Sequence, residues 1–238
     1  MKQLSGAVFA LLLVPGAAFA EDDGNCYNPL KLSEGFNPTL ATVSSTEPKT
    51  FFRRNRSSDK SCPSEGATCR SKAYLVPNDQ IFAGLPQGDY LCVAKVSPKG
   101  RVTAGWLRKS DVTPVQTPAI TPADWLGTWT APEQKIVITR GKRAGTLSFD
   151  ASATFGALDP ERVKRGAVNM GDFAAEWKPE GAFLAFAIGD KGAVPLDKGE
   201  EYSCKVHMLR VGPSLIVEDN GTCGGVNVSF TGVYAKKK

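Results

Sequence analysis

Six cysteines constrain the fold of this chain more than any other feature of its sequence. They are Cys26, Cys62, Cys69, Cys92, Cys204 and Cys223. An even number of cysteines in an exported chain indicates a disulfide framework formed in an oxidising compartment. A metal site is the weaker interpretation, because the chain has no C-x-x-C pair and a single histidine. We therefore predict three disulfides, no bound metal and no cofactor.

The first twenty residues predict export. Lys2 supplies a positive start, residues 7–14 are apolar, and Ala18-Phe19-Ala20 places small residues where signal peptidase reads the chain. The apolar run is well short of the roughly 20 residues that cross a bilayer, so no membrane span is expected. We predict cleavage after Ala20 and a mature protein in the periplasm or outside the cell.

A proline-rich stretch, residues 112–122, divides the chain into two halves. Its sequence V-T-P-V-Q-T-P-A-I-T-P favours an extended, semi-rigid connection. Four cysteines precede it and two follow, which indicates two separately stapled domains. We predict a signal peptide over 1–20, a first domain over 21–115, a linker over 116–122 and a second domain over 123–238.

Both halves have the sequence pattern of β-structure. Short runs of β-branched and aromatic residues alternate with Gly, Pro, Asn and Asp, and the best helical candidate, 160–165, is about one turn long. In the second half we predict eight strands, at 125–131, 134–140, 145–154, 167–177, 182–188, 201–211, 214–219 and 228–235. Eight antiparallel strands in a meander can close into a barrel and remove both sheet edges.

In the first half, turns are predicted at 77–79, 88–89 and 97–100, and the segment ends in Gly105-Trp106-Leu107 and Ser110-Asp111-Val112. Over about residues 51–115 this pattern resembles the bacterial SH3-like domain. The opening differs from the family, because 51–55 replaces its usual motif and a cysteine-containing insert, 62–69, fills the first long loop. The resemblance implies a small barrel that binds peptidoglycan or an envelope protein. We expect Trp106 in the core rather than in a ligand groove.

The second half begins with Trp125-Leu126-Gly127-Thr128-Trp129, which contains a Gly-x-Trp motif. This start resembles the first strand of lipocalin- and avidin-type barrels, in which the tryptophan closes one end. No residues match a biotin or retinoid site, so the resemblance implies no ligand. The expected fold is all-β, a small SH3-like barrel followed by an eight-stranded antiparallel meander barrel.

Cysteine spacing suggests how the disulfides pair. Cys62 and Cys69 enclose a six-residue polar loop, so we prefer a local bridge between them, which leaves Cys26 to pair with Cys92. Four cysteines permit three pairings, and this one is a preference. Cys204 and Cys223 then clamp the glycine-rich loop 219–225, which is either a protein-contact site or a long connection held rigid for stability.

The sequence favours a binding protein over an enzyme. His207 alternates with Val206 and Met208 and so is expected to face solvent, and no nucleophile elbow, Walker loop or zinc signature occurs. The pairs Glu200-Glu201 and Glu218-Asp219 are sequence neighbours, which point to opposite faces of a strand. Interspersed charges and a net charge of +5 give no indication of nucleic-acid binding.

We therefore expect a non-catalytic, exported envelope protein that recognises peptidoglycan or an envelope protein. One alternative is a periplasmic inhibitor or immunity protein against a wall-degrading enzyme, and another is a carrier of a small apolar ligand in the second barrel. The oligomeric state is left open. The predicted ligand-binding residues are Arg53, Arg54, Arg56, Tyr74 and Tyr90. The predicted contact residues of the glycine-rich loop are Asn220, Gly224 and Asn227.

Overall fold

The structure, a computed structural model, describes residues 24–237. The predicted signal peptide and its cleavage site lie outside the described residues. The chain is all-β, with two antiparallel sheets and two short α-helices, α1 (Pro122–Trp125) and α2 (Pro160–Lys164). Single 3-10 turns are found at Leu32–Glu34, Ala67–Cys69, Lys109–Asp111 and Leu196–Lys198.

The first sheet contains seven strands in the order β3-β2-β6-β5-β4-β1-β7. They are β1 (Thr39–Val43), β2 (Thr50–Arg53), β3 (Arg70–Leu75), β4 (Gln80–Gln87), β5 (Tyr90–Val96), β6 (Val102–Arg108) and β7 (Val112–Pro114). Tight turns join β3 to β4, β4 to β5 and β5 to β6, where the sequence predicts them. Asn78 and Gly88 adopt φ values of 69° and 50° in two of these turns, which Asn and Gly tolerate better than other residues.

The second sheet contains nine strands in the order β11-β10-β9-β8-β16-β15-β14-β12-β13. They are β8 (Gly127–Ala131), β9 (Gln134–Arg140), β10 (Leu147–Phe155), β11 (Asn169–Trp177), β12 (Phe183–Gly189), β13 (Gly192–Val194), β14 (Lys205–Val211), β15 (Ser214–Asp219) and β16 (Gly232–Lys236). Inward-facing residues alternate along these strands and form one apolar core.

This sheet curls until it is nearly a barrel. Strand β8 pairs with β9 on one side and β16 on the other, and Phe173 of β11 packs edge-on against Phe186 of β12 at 6.2 Å between ring centroids. The edge strands β11 and β13 are not paired with each other in the described residues, so the ladder does not close. The second sheet has nine strands rather than the expected eight, since β13 follows β12 as an additional strand at one edge of the sheet.

Aromatic and cationic side chains fill the interior of the second sheet. Trp129 is fully buried and donates its indole N–H to the Trp125 carbonyl at 2.8 Å, and the Tyr234 hydroxyl donates to the Phe230 carbonyl at 2.6 Å. The Arg210 guanidinium lies 4.2 Å from the centre of the Trp129 ring. Burial lowers the pKa of Arg210, and the negative charge of Asp124 offsets only part of this decrease. The Gly-x-Trp tryptophan is thus a packed core residue beneath a buried arginine.

The two sheets contact each other through a shared apolar cluster. Its buried members come from the N-terminal extension, the first sheet and the second sheet: Leu30, Leu32, Leu40, Phe82, Ala94, Leu209, Val211 and Ile216. Ser33 adds two hydrogen bonds across the contact, from its N–H and its hydroxyl to the Glu218 carboxylate at 2.7 and 2.8 Å. Residues 115–121 lack helix and strand, but Val115 and Ile120 pack against the cores, so the proline-rich linker is held in place.

Three disulfides staple the chain, and their pairing is the preferred one. The bonds are Cys26–Cys92, Cys62–Cys69 and Cys204–Cys223, and none of the cysteines is free within the described residues. Cys26–Cys92 packs with Trp106 in a small cluster that is separate from the main core of the first sheet. Trp106 is buried as expected, although it lies beneath the N-terminal extension rather than inside the sheet. None of the helices in 24–237 is long and apolar enough to cross a bilayer.

Candidate functional site

A groove opens on the first sheet where strands β2 and β6 separate. The two strands pair only at Arg53 and Trp106. The rest of β2 therefore diverges from β6 and from the 3-10 turn Lys109–Asp111, which follows β6. The resulting space, which we name the β2–β6 groove, has a volume of about 530 Å³. Its lining residues are Ser45, Glu47, Lys49, Thr50, Phe51, Arg53, Glu65, Ala67, Arg70, Arg108 and Asp111.

Two cations of the groove lie over aromatic rings. The Arg70 guanidinium is 3.6 Å from the centre of the Phe51 ring, and the Lys49 ammonium is 4.5 Å from the centre of the Tyr74 ring. The two rings lie side by side, with centroids 5.6 Å apart. Contact with an aromatic face attracts a cation while leaving its other side free for a ligand. Within residues 24–237, neither Lys49 nor Arg70 forms an ion pair with a carboxylate.

Another part of the groove is built around the carboxylate of Glu65. Arg53 pairs with one carboxylate oxygen, and Arg108 reaches the other at 2.6 Å. The Tyr90 hydroxyl donates to the same carboxylate at 2.9 Å. Burial raises the pKa of Glu65, but the hydrogen bonds from Arg108 and Tyr90 and the charge of Arg53 outweigh burial, and the pKa lies below its ordinary value.

The disulfide-closed insert places Glu65 over the sheet. Glu65 lies between Cys62 and Cys69, whose bond closes the loop directly before β3 begins at Arg70. The carboxylate therefore occupies a site made by two guanidiniums and a phenol, which is a favourable arrangement for planar carboxylate recognition. This part of the chain shows how a carboxylate docks on the first sheet.

The groove carries charges of both signs. Four cations and three carboxylates line it, so its formal charge is +1. Glu65 is the carboxylate that neutralises Arg53 and Arg108, whereas Glu47 and Asp111 form no ion pair within residues 24–237. Thr50 also lines the groove; it is 7% exposed, and its buried hydroxyl has no hydrogen-bond partner among the described residues.

The structure separates the five predicted ligand-binding residues. Arg53 lines the groove, Tyr74 borders it beneath Lys49, and Tyr90 is hydrogen-bonded to Glu65. Arg54 and Arg56 are exposed but do not line the groove. Of the three arginines, only Arg53 lines the groove.

Sequence reasoning missed Lys49, Phe51, Arg70 and Arg108 as site residues. A usable signal was present in part, because Phe51 and Arg53 alternate along β2 while Arg70 and Tyr74 share one face of β3. To bring these two strands together, one must also know that Phe51 of β2 pairs with Tyr74 of β3, and only the structure shows this pairing. Arg108 required the path of β6 as well.

The glycine-rich loop after β15 uses its polar groups internally. Asn220 accepts from the Lys205 N–H at 3.0 Å and donates to the Ser203 carbonyl at 2.9 Å. A Cβ added at Gly171 of β11 would lie 2.5 Å from the Gly224 Cα, so the loop approaches that strand very closely. Asn227 adopts a positive φ of 63°. Of the two roles considered for this loop, these contacts support the rigid connection.

His207 lies on the outer side of β14, partly buried beside Phe183, whose ring centre is 6.3 Å from the imidazole. Desolvation lowers the pKa of His207, and the charge of Glu218 opposes this shift. No group of three or more His, Cys, Asp or Glu side chains within 24–237 is arranged to hold a metal ion.

Comparison with known proteins returns no match for this chain, whether to a family model, a curated protein or a solved structure.

Proposed function

We propose that the mature protein is a non-catalytic, exported cell-envelope protein whose β2–β6 groove binds peptidoglycan. In this proposal the first sheet acts as an SH3-like recognition module, and the second sheet is the scaffold that holds it. The three disulfides support export to an oxidising compartment, because the reducing conditions of the cytoplasm do not maintain such bonds.

The observation that carries the proposal is the pair of available cations in a concave surface. Lys49 and Arg70 are held over the Tyr74 and Phe51 rings, and neither has a carboxylate partner among residues 24–237. Holding these long side chains in place before binding reduces the entropy that a ligand must otherwise overcome. The stem peptides of peptidoglycan carry carboxylates that fit such positions.

Two features weigh against the rival functions. The second sheet is filled with buried aromatic side chains, which supports a packed core rather than a carrier cavity. The glycine-rich loop is bonded to its own strands and docked on β11, which gives little support to that loop as an inhibitor's contact surface.

Sedimentation with purified peptidoglycan tests the proposal. The groove variant Lys49→Ala/Arg70→Ala should sediment much less than the native protein at low salt, and binding by the native protein should fall as salt screens these exposed charges. The matched control is Arg54→Ala/Arg56→Ala, which also removes two positive charges but leaves the groove intact. Equal losses in both variants would mean that net charge, and not the groove, is responsible.

Absence of sedimentation at low salt contradicts wall binding. A stoichiometric complex with one wall-degrading enzyme, together with no sedimentation, would instead establish the inhibitor function.

A further inference from the structure

We infer that the β2–β6 groove recognises a short extended peptide through a free carboxylate, and that polyanionic polymers are not its ligands. This inference rests on the proposed function and specifies which part of the wall is bound. It begins from the mixed charge of the groove. A polyanion placed along the groove would meet Glu47, Glu65 and Asp111 as well as the cations, whereas a peptide presents isolated charges and neutral amides.

The chain's own Glu65 indicates where a ligand carboxylate binds. Glu65 already occupies the part of the groove formed by Arg53, Arg108 and Tyr90. The remaining cations are Arg70, which lies across the β2–β3 pair from Arg53, and Lys49, and neither forms an ion pair with a carboxylate among residues 24–237. An incoming carboxylate therefore pairs with Arg70, whose planar guanidinium can donate two N–H hydrogen bonds to its oxygens while it stacks on Phe51.

The backbone of β2 supplies the reason to expect a peptide. Strand β2 pairs with β3 along its outer side, but on its inner side it has no β6 partner before Arg53. Because alternate residues of a strand direct their N–H and C=O groups to opposite sides, part of this short stretch faces the groove. An extended peptide that enters the gap can pair with these groups, as in other cases of strand addition.

A positive ligand group has partners in the same groove. Glu47 and Asp111 line it without an ion pair inside the described residues, so an ammonium group of the ligand can lie beside them. A peptide with a terminal carboxylate and a side-chain amine complements all of these features.

Isothermal titration with synthetic peptides tests the inference. The first probe is the wall-type peptide L-Ala-D-isoGln-L-Lys-D-Ala-D-Ala, whose only carboxylate is C-terminal, and the second is the same peptide with a C-terminal amide. We expect the free acid to bind at least tenfold more tightly than the amide. Arg70→Ala should remove most of this difference, and Arg70→Lys should restore part of it, because an ammonium retains the charge but loses the planar contact.

A control and a second source of the same chemistry complete the design. Arg54→Ala should leave both affinities unchanged, and the melting temperature of each variant verifies that it is folded. The all-L peptide L-Ala-L-Gln-L-Lys-L-Ala-L-Ala, whose only carboxylate is C-terminal, tests a protein C-terminus as the source of the carboxylate. Tighter binding of the D-Ala peptide assigns the ligand to the wall, and tighter binding of the all-L peptide assigns it to a protein.

Equal affinity for acid and amide overturns the inference, and so does binding of heparin without binding of either peptide. If the protein sediments with peptidoglycan through Lys49 and Arg70 but no peptide competes, the proposed function stands and the peptide assignment fails. If the peptides bind at the groove but peptidoglycan does not sediment the protein, the carboxylate site stands and wall binding fails.

Discussion

The contact between the two sheets predicts that they unfold as one cooperative unit. Leu209 is 4% exposed and lies in the shared apolar cluster with Leu40 and Phe82 of the first sheet. Replacing a buried leucine with alanine costs about 2–5 kcal/mol, because apolar contacts are lost and a cavity remains. For a chain of this size each kcal/mol corresponds to roughly 2–4 °C in melting temperature. Leu209→Ala should therefore lower the melting temperature by at least roughly 4 °C.

Hydrogen exchange with mass spectrometry distinguishes cooperative destabilisation of both sheets from destabilisation of the second sheet alone. Amides of β5 and β6, which lie in the first sheet, should lose protection together with those of β14 and β15. Leu85→Ala is the matched control, because Leu85 is 61% exposed and its loss should change stability by no more than about 0.5 kcal/mol. Two separate unfolding transitions, with only the second sheet affected, would refute the reasoning.

Three further predictions concern the second sheet. Replacing Cys204 and Cys223 with serine opens a bridge of sequence separation 19, and urea unfolding should show a loss of about 3 kcal/mol; an unchanged midpoint would contradict this. Burial lowers the pKa of His207 in the folded protein below its ordinary value of 6.5. As the pH falls through this range, the unfolded chain binds more protons than the folded protein, so stability falls with pH. His207→Asn should flatten the dependence of melting temperature on pH between about pH 7 and 5, and an unchanged slope would assign it to other groups. Gly171→Ala should lower the melting temperature because its Cβ meets the loop backbone, while Gly189→Ala, whose neighbours are at least 3.6 Å away, should not; similar effects would show that the loop can yield.

Part of the lining of the candidate groove could be predicted from sequence. Arg53 and Tyr74 were identified because arginine clusters and exposed aromatics are typical of ligand contacts, and both lie at the groove. Arg54 and Arg56 were grouped with Arg53 because they are close in sequence. Only Arg53 of the three lines the groove, and closeness in sequence could not indicate which of them would do so.

The sequence alone was sufficient for features that depend on local chemistry. Alternating apolar residues gave strands at 134–140 and 214–219, and glycine and proline marked the turns between strands. The short separation of Cys62 and Cys69 favoured their bond, which left Cys26 for Cys92. These features depend on the preferences of nearby residues, so they can be predicted without knowing how distant segments meet.

Only the tertiary structure determined how the sheets pack and where the groove lies. The apolar cluster joins Leu32, Phe82 and Ile216, which are far apart in the sequence and could each belong to a separate core. The groove exists because β2 leaves β6 after a single paired position, and Glu65 enters it from an insert closed by a disulfide. The physical reason is that both features depend on the relative positions of strands, and residue preferences constrain each strand but not the space between two of them.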